Sequence, residues 1–200
     1  MDTAQLPLIP AIRSRRSPRA FADEGVAGET LLQLFEAARW AASSFNEQPW
    51  RFIIASRHEP GFRLLADCLV EANAWATKAP VLMLSIAKKT FTANGTENRH
   101  AWHDVGAAMA NLSLQAAELG LQVHQMAGFN VQQAQTACRI PADFTPVAMA
   151  ALGRPGDPAQ LSAKLQASEI AIRSRRPLSD LISGEMFGKP PGWLHAGEPS

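Results

Sequence analysis

The sequence predicts an α/β or α+β chain in which helices outweigh strands, and three observations carry this. Short apolar runs with strand character alternate with stretches of helical periodicity. The strand-like runs are few and the helical stretches long. The 200 residues, 46% hydrophobic and 18% charged, suffice for one domain with a sizeable core.

The elements follow in order. The basic segment 11–21 opens on a short helix that Pro18 interrupts, because proline lacks an N–H and its ring clashes with the preceding turn. Residues 28–42 keep helical spacing through Leu31, Leu34, Phe35 and Ala38. Residues 43–50 break that pattern and form a loop. Residues 51–56 read as a strand, followed by a helix from about Gly61 to Trp75. The apolar run 80–86, bounded by proline, predicts a buried strand. Residues 88–99 are polar around Asn94-Gly95 and predict an exposed loop. A long helix is expected from about Trp102 to Leu119, with Gly120 just past its end, where a left-handed residue closes the last turn. Its stripe of Ala107, Ala108, Ala110, Leu112, Leu114 and Ala117 is mostly small, which predicts close packing at the centre of the molecule. Residues 121–126 read as a short strand, 132–138 as a helix and 146–152 as a strand. From Arg154 onward the chain is proline-rich, with little apolar periodicity before Leu178. This tail is expected to lie along another surface, such as that of a second subunit.

Composition excludes several classes. A net charge of +1 argues against a broad nucleic-acid surface. No apolar run approaches the roughly 18 residues of a membrane span. The first residues lack the basic and apolar regions of a signal peptide, so a cytoplasmic location is expected. Cys68 and Cys138 match no zinc or redox spacing and read as small buried hydrophobes. There is no Gly-x-Gly-x-x-Gly, no Walker loop and no Gly-x-Ser-x-Gly elbow. Of His58, His100, His103, His124 and His195, only His100 and His103 are close; no third ligand is evident, Asp104 is expected to point elsewhere, and no metal site is predicted. With no evident nucleophile, metal or acid–base pair, the chain reads as a binder or as an enzyme that relies on a bound cofactor.

Two features point further. The hexapeptide Ala-Ile-Arg-Ser-Arg-Arg occurs at 11–16 and again at 171–176, and with Arg19 these copies hold half of the arginines. Arginine presents a fork of donors suited to phosphate and carboxylate. The pattern predicts either an anion held where the two ends meet or two solvated basic turns. The second feature is the loop Ala42-Ser43-Ser44-Phe45-Asn46-Glu47-Gln48-Pro49-Trp50-Arg51-Phe52. Its hydroxyls and carboxamides supply the donors and acceptors that a neutral heteroaromatic edge requires. The alternative is a capped turn with Trp50 in the core.

Arg15-Arg16-Ser17-Pro18-Arg19-Ala20-Phe21 resembles the N-terminal Arg-Arg-Ser-x-Arg-x-Phe of the FMN-dependent nitroreductase family. The loop 42–52 resembles that family's Pro-Ser-Ser-x-Asn-x-Gln-Pro-Trp-x-Phe, with Ala42 in place of the first proline. Asp104-Val105-Gly106-Ala107-Ala108 looks like the start of its central helix, and residues 124–129 like its later Gly-Phe turn. Residues 152–156 and 173–178 resemble its Leu-Gly-Tyr-Pro turn and its C-terminal basic segment.

The resemblance implies an α+β fold with a central mixed or antiparallel sheet flanked by helices. It implies one FMN-binding domain over 1–200, with the tail from about 177 wrapped on a dimer partner. FMN would sit at the interface of a homodimer. Arg15, Arg16, Ser17 and Arg19 would hold its phosphate and ribityl chain, and Arg173 and Arg175 would close on the same phosphate. Ser43, Ser44, Asn46 and Gln48 would reach the ring and ribityl from the partner subunit. Gln125, Met126, Ala127 and Gly128 would run beneath the ring, with a main-chain N–H near flavin N5. Asn73 is the candidate for the pyrimidine edge. Phe45 is open between stacking on an acceptor and packing in the core, while Phe91, His100 and Trp102 are candidates for a lid. The implied activity is NAD(P)H-dependent reduction of nitroaromatics, quinones or free flavin by a ping-pong cycle. The alternatives are a non-catalytic flavin-binding protein or a basic-ended interaction domain.

Overall fold

The computed structural model describes residues 6–194; His195 lies outside them. Four strands form one sheet in the order β1-β2-β4-β3, from β1 (Trp50–Ser56), β2 (Val81–Lys88), β3 (Gln122–Met126) and β4 (Phe144–Gly153). Every pairing is antiparallel, which resolves the expected mixed or antiparallel sheet. Six α-helices accompany it: α1 (Pro10–Ser14), α2 (Gly28–Arg39), α3 (Pro60–Ala66), α4 (Ala101–Glu118), α5 (Val131–Ala137) and α6 (Ala163–Ile170). The fold is α+β and helix-rich.

The sheet is covered on both faces, because side chains alternate along each strand. On β2, Leu82, Leu84 and Ile86 join one core with Phe21, Phe62, Leu65, Trp75 and Met126. Val81, Met83 and Ala87 join the other with Leu34, Trp50, Val105, Met109 and Leu112 of α2, β1 and α4. The continuous apolar run in β2 thus reflects burial on both sides, each large side chain contributing about 1.5–3 kcal/mol. The register of β2 on β4 shifts between Ser85 and Ile86, next to Pro146, which has no N–H to give the ladder. The buried Ser85 hydroxyl fills the gap, donating to the Ala148 carbonyl at 3.0 Å and accepting from its N–H at 3.2 Å.

Helix α4 lies between the sheet and α2, as its small residues predict. Its buried stripe is rotated from the expected one: Val105, Ala108, Met109, Leu112, Ser113 and Ala116 point inward, and Ala110 is exposed. Gly120 follows the helix at φ 72, the left-handed conformation that glycine adopts without a Cβ clash.

Four expectations need correction. Helix α1 ends at Ser14, ahead of Pro18, because Arg15 already has extended backbone (ψ 129). Helix α2 stops at Arg39 rather than Ala42. The helix expected over 61–75 is broken: α3 ends at Ala66 and a 3-10 helix runs from Glu71 to Lys78. Between them the chain turns at Asp67 and Cys68 and is then extended, with Leu69 bridged to Phe129, the Asn130 N–H donating to Cys68 O and the Val70 N–H to Gly128 O. Tertiary pairing outweighs local helix propensity there. The tail also contains α6, which the proline-rich pattern concealed.

Candidate functional site

The two copies of the hexapeptide meet. Arg173 of the second copy donates to the main-chain carbonyls of Arg13 and Arg15 in the first, both at 2.6 Å. Beneath the first copy lies β3, whose polar residues Gln122 and His124 share one face with the buried Met126. Gln122 Oε1 accepts from the Arg16 N–H at 2.6 Å, and its amide nitrogen lies 3.4 Å from Ser14 O. His124 Nδ1 lies 2.9 Å from Pro18 O; a carbonyl only accepts, so Nδ1 carries the proton. Burial first, and then the Arg19 charge, push the imidazole below its ordinary value, while Pro18 O and Glu169 oppose them, so the ring is held neutral. Glu169, on α6, accepts from the N–H groups of Arg19 (2.8 Å) and Ala20 (3.1 Å).

The backbone of residues 13–20 is therefore fixed from β3, α6 and the second hexapeptide, while the Arg16 and Ser17 side chains stay exposed and Arg19 approaches Glu169 at 4.0 Å. Arg15, Arg16, Ser17, Arg19, Arg173 and Arg175 line one open cavity of about 400 Å³, with Glu169 on its wall. Arg15 Nη1 lies 3.3 Å from Ser17 Oγ. Burial and the charges of Arg16, Arg175 and Arg15 push the Arg173 pKa down, the mark of cations crowded without enough counter-charge. The Arg13 side chain turns away, to the Leu6 carbonyl at 3.1 Å. Such a cavity suits a compact dianion, phosphate above all. Arg173 lines the cavity while two of its five donors serve main-chain carbonyls.

The β3 end and the 3-10 helix form a second part. Met126 is buried, whereas Gln125 and Ala127 are exposed. Asn73 donates to Gly128 O at 2.9 Å, so its amide braces this turn. A Cβ on Gly128 would stand 2.6 Å from Asn73 Nδ2 and 3.0 Å from Val70 Cγ2, which leaves glycine as the residue that fits. Among the described residues, no main-chain carbonyl accepts from the Ala127 or Gly128 N–H, so two donors remain at the open side of the turn.

The loop before β1 is the third part. A 3-10 turn spans Ser44–Asn46, and Phe45, Asn46 and Gln48 have φ of 52, 55 and 51. Ser43 Oγ accepts from the Gln48 N–H at 3.0 Å, and the buried Asp104 carboxylate of α4 accepts from the Ser44 N–H at 3.0 Å. The turn is capped and Trp50 is core, yet Ser44, Asn46 and Gln48 keep polar groups near the surface. None of these loop residues lines the arginine cavity within this chain. Phe45 is 92% exposed, which excludes the core reading, and its ring meets Phe91 edge-on with centroids 5.7 Å apart. Trp102 is half-exposed in the first turn of α4. Asp104 does not point away from His103 as expected: His103 Nδ1 lies 3.2 Å from its Oδ1.

Sequence reasoning missed Gln122, His124, Glu169, Asp104 and Glu47. Two polar residues at i,i+2, on the face that ends in Met126, were the available signal for the first pair; Glu169 sits on the unforeseen α6.

The nitroreductase family model matches residues 12–70 and 63–154. A solved structure described as an oxidoreductase containing FMN is 32% identical, with a TM-score of 0.86 over 92% of this chain and 94% of that one. A Desulfovibrio desulfuricans structure in complex with FMN is 30% identical, with a TM-score of 0.69 over 92% and 99% of the two chains. Among curated proteins, a Thermus thermophilus NADH dehydrogenase is 24% identical over 84% of this chain and 98% of its own.

Proposed function

Since the chain belongs to the nitroreductase family, we propose that it is a homodimeric FMN-dependent NAD(P)H oxidoreductase that reduces nitroaromatics, quinones or free flavin in a ping-pong cycle. It would be one FMN-binding domain over 1–200, cytoplasmic, with the tail from about 177 on the partner subunit. The arginine cavity where the two hexapeptides meet carries this reading. Its side chains match a phosphate dianion in charge and donor geometry. The unpaired Ala127 and Gly128 N–H groups and the Ser-Ser-x-Asn-x-Gln loop suit the polar edge of a flat heteroaromatic ring. The likeness to FMN-containing structures at 30% identity and above supports the same group.

In this reading Arg15, Ser17, Arg19 and Arg175 hold the phosphate, and Arg173 holds their backbone. The free N–H groups of Ala127 and Gly128 stabilise negative charge on the ring. When bound, FMN supplies the hydride chemistry, so the protein needs no dedicated acid or base. Asn73 keeps the turn in register, and the loop 43–48 supplies polar contacts from the partner. The test is direct. The purified protein is expected to be yellow or to become so with FMN, and anaerobic stopped-flow mixing with NADH or NADPH is expected to bleach it. A colourless protein that cannot be reconstituted defeats the reading, whereas colour that persists with both donors leaves a non-catalytic flavin binder.

A further inference from the structure

One carboxylate ties the loop before β1 to the loop before α4. Glu47 Oε1 accepts from the Thr92 N–H at 2.9 Å and from the Thr92 hydroxyl, and Lys88 Nζ lies 3.2 Å from it. Lys88 also donates to Thr92 Oγ1 at 2.6 Å. The Glu47 and Lys88 side chains are only 8% and 14% exposed. Burial raises the Glu47 pKa, but the Thr92 hydroxyl and N–H, and then Lys88, outweigh it, so the group is held ionised. Charges this far from water are costly unless paired and fully hydrogen-bonded, so the site is built around the tie.

The tie holds two aromatic rings. Phe45 stands two residues before Glu47 and Phe91 one residue before Thr92. Their rings meet edge-to-face at 84°. Phe45 has almost no burial to fix it, and its φ of 52 is unfavourable for a residue with a Cβ. Its place is therefore imposed by the anchors around it: the Ser44 N–H on Asp104, the Gln48 N–H on Ser43 Oγ and Glu47 on Thr92 and Lys88. An edge-to-face pair leaves the electron-rich face of the exposed ring open to a flat, electron-poor partner.

We infer that Glu47 is a positioning residue for the electron acceptor, locking two loops so that Phe45 and Phe91 form a preset platform for planar, electron-poor aromatic acceptors. This extension rests on the flavoenzyme reading above. The FMN-loaded enzyme tests it, with 1,4-naphthoquinone as a planar acceptor and ferricyanide as a compact one that needs no platform. Glu47→Gln is expected to raise the naphthoquinone KM roughly tenfold, with ferricyanide kinetics unchanged when both are read on FMN-saturated enzyme. Adding Lys88→Met removes the cation left unpaired and is expected to recover most of the affinity. Thr92→Val, at an exposed site with a small folding cost, is expected to raise the same KM by less, and it serves if the Glu47 variant does not fold. An unchanged naphthoquinone KM in these variants, or a parallel loss with both acceptors, overturns the assignment. Wild-type protein that takes up no FMN overturns the flavoenzyme reading and this one with it, and that result is read before any variant is made.

Discussion

Arg15 and Arg173 stand at different places in the two copies of the hexapeptide, fifth in the first and third in the second, and the fold uses them differently. Arg173 spends its donors on the carbonyls of Arg13 and Arg15, while Arg15 keeps its guanidinium for the cavity. Each charge-assisted contact to a phosphate is worth roughly 1.5–3 kcal/mol. Arg15→Ala and Arg175→Ala are therefore each expected to weaken FMN binding about 10- to 150-fold, measured by flavin fluorescence during titration. Their effects should couple, since both would touch one dianion. Arg13→Ala is the internal control, because its side chain leaves the cavity for Leu6 O. Loss of FMN in Arg13→Ala with retention in Arg15→Ala would show the wrong register. Indifference of all three would place the phosphate elsewhere.

At the scale of elements, β3 organises the site, because its inward face carries two polar residues in place of two hydrophobic ones. His124 is the sensitive one. Its pKa lies below the ordinary 6.5 through burial and the Arg19 charge, opposed by Pro18 O and Glu169. A depressed value means that the stability from neutral His124 is full above about pH 6.5 and is lost as the pH falls through its folded value. Thermal unfolding followed from about pH 7.5 to about pH 5 should thus show a steeper fall for the wild type than for His124→Gln, which keeps a donor for Pro18 O. Parallel curves would remove His124 as the titrating group. The same strand shows what a sequence makes legible. Apolar runs in β2 and β4 and the stop at Gly120 were readable because burial and glycine geometry leave local marks. The break after Ala66 was not, since it depends on pairing between Leu69 and Phe129, 60 positions apart. Helix α6 was also hidden: none of its residues is fully buried, so it carries no strong apolar period, and with it went Glu169. The loop 43–48 was legible in composition, but its left-handed residues and its anchors on Asp104 and Thr92 were not, because they join segments far apart in the chain.

Over the whole molecule, the tail is the part that its own chain explains least. Among the described residues, every hydrogen bond of 177–194 closes within that segment, from Pro177–Asp180 through Ser183–Lys189 to Pro191–Leu194. Phe187 is fully exposed and Trp193 and Leu181 largely so, as are Leu32 on α2 and Trp40 just past its end. Apolar exposure on this scale marks surface meant to be covered. In the homodimer proposed above, a second copy of the chain would cover this surface and would also bring the loop 43–48 to the arginine cavity, which one chain does not do. A chain ended after Arg176 keeps both hexapeptides and both cores but loses Phe187 and Trp193. If the tail embraces the partner, light scattering should show the full chain as a dimer and the shortened chain shifted toward monomer at equal concentration. FMN should then dissociate from the shortened chain in step with the subunits, because in the proposed dimer the ring contacts would come from across the interface. A shortened chain that stays dimeric and yellow would restrict the tail to its own subunit, and an FMN-loaded full-length monomer would refute the shared site altogether.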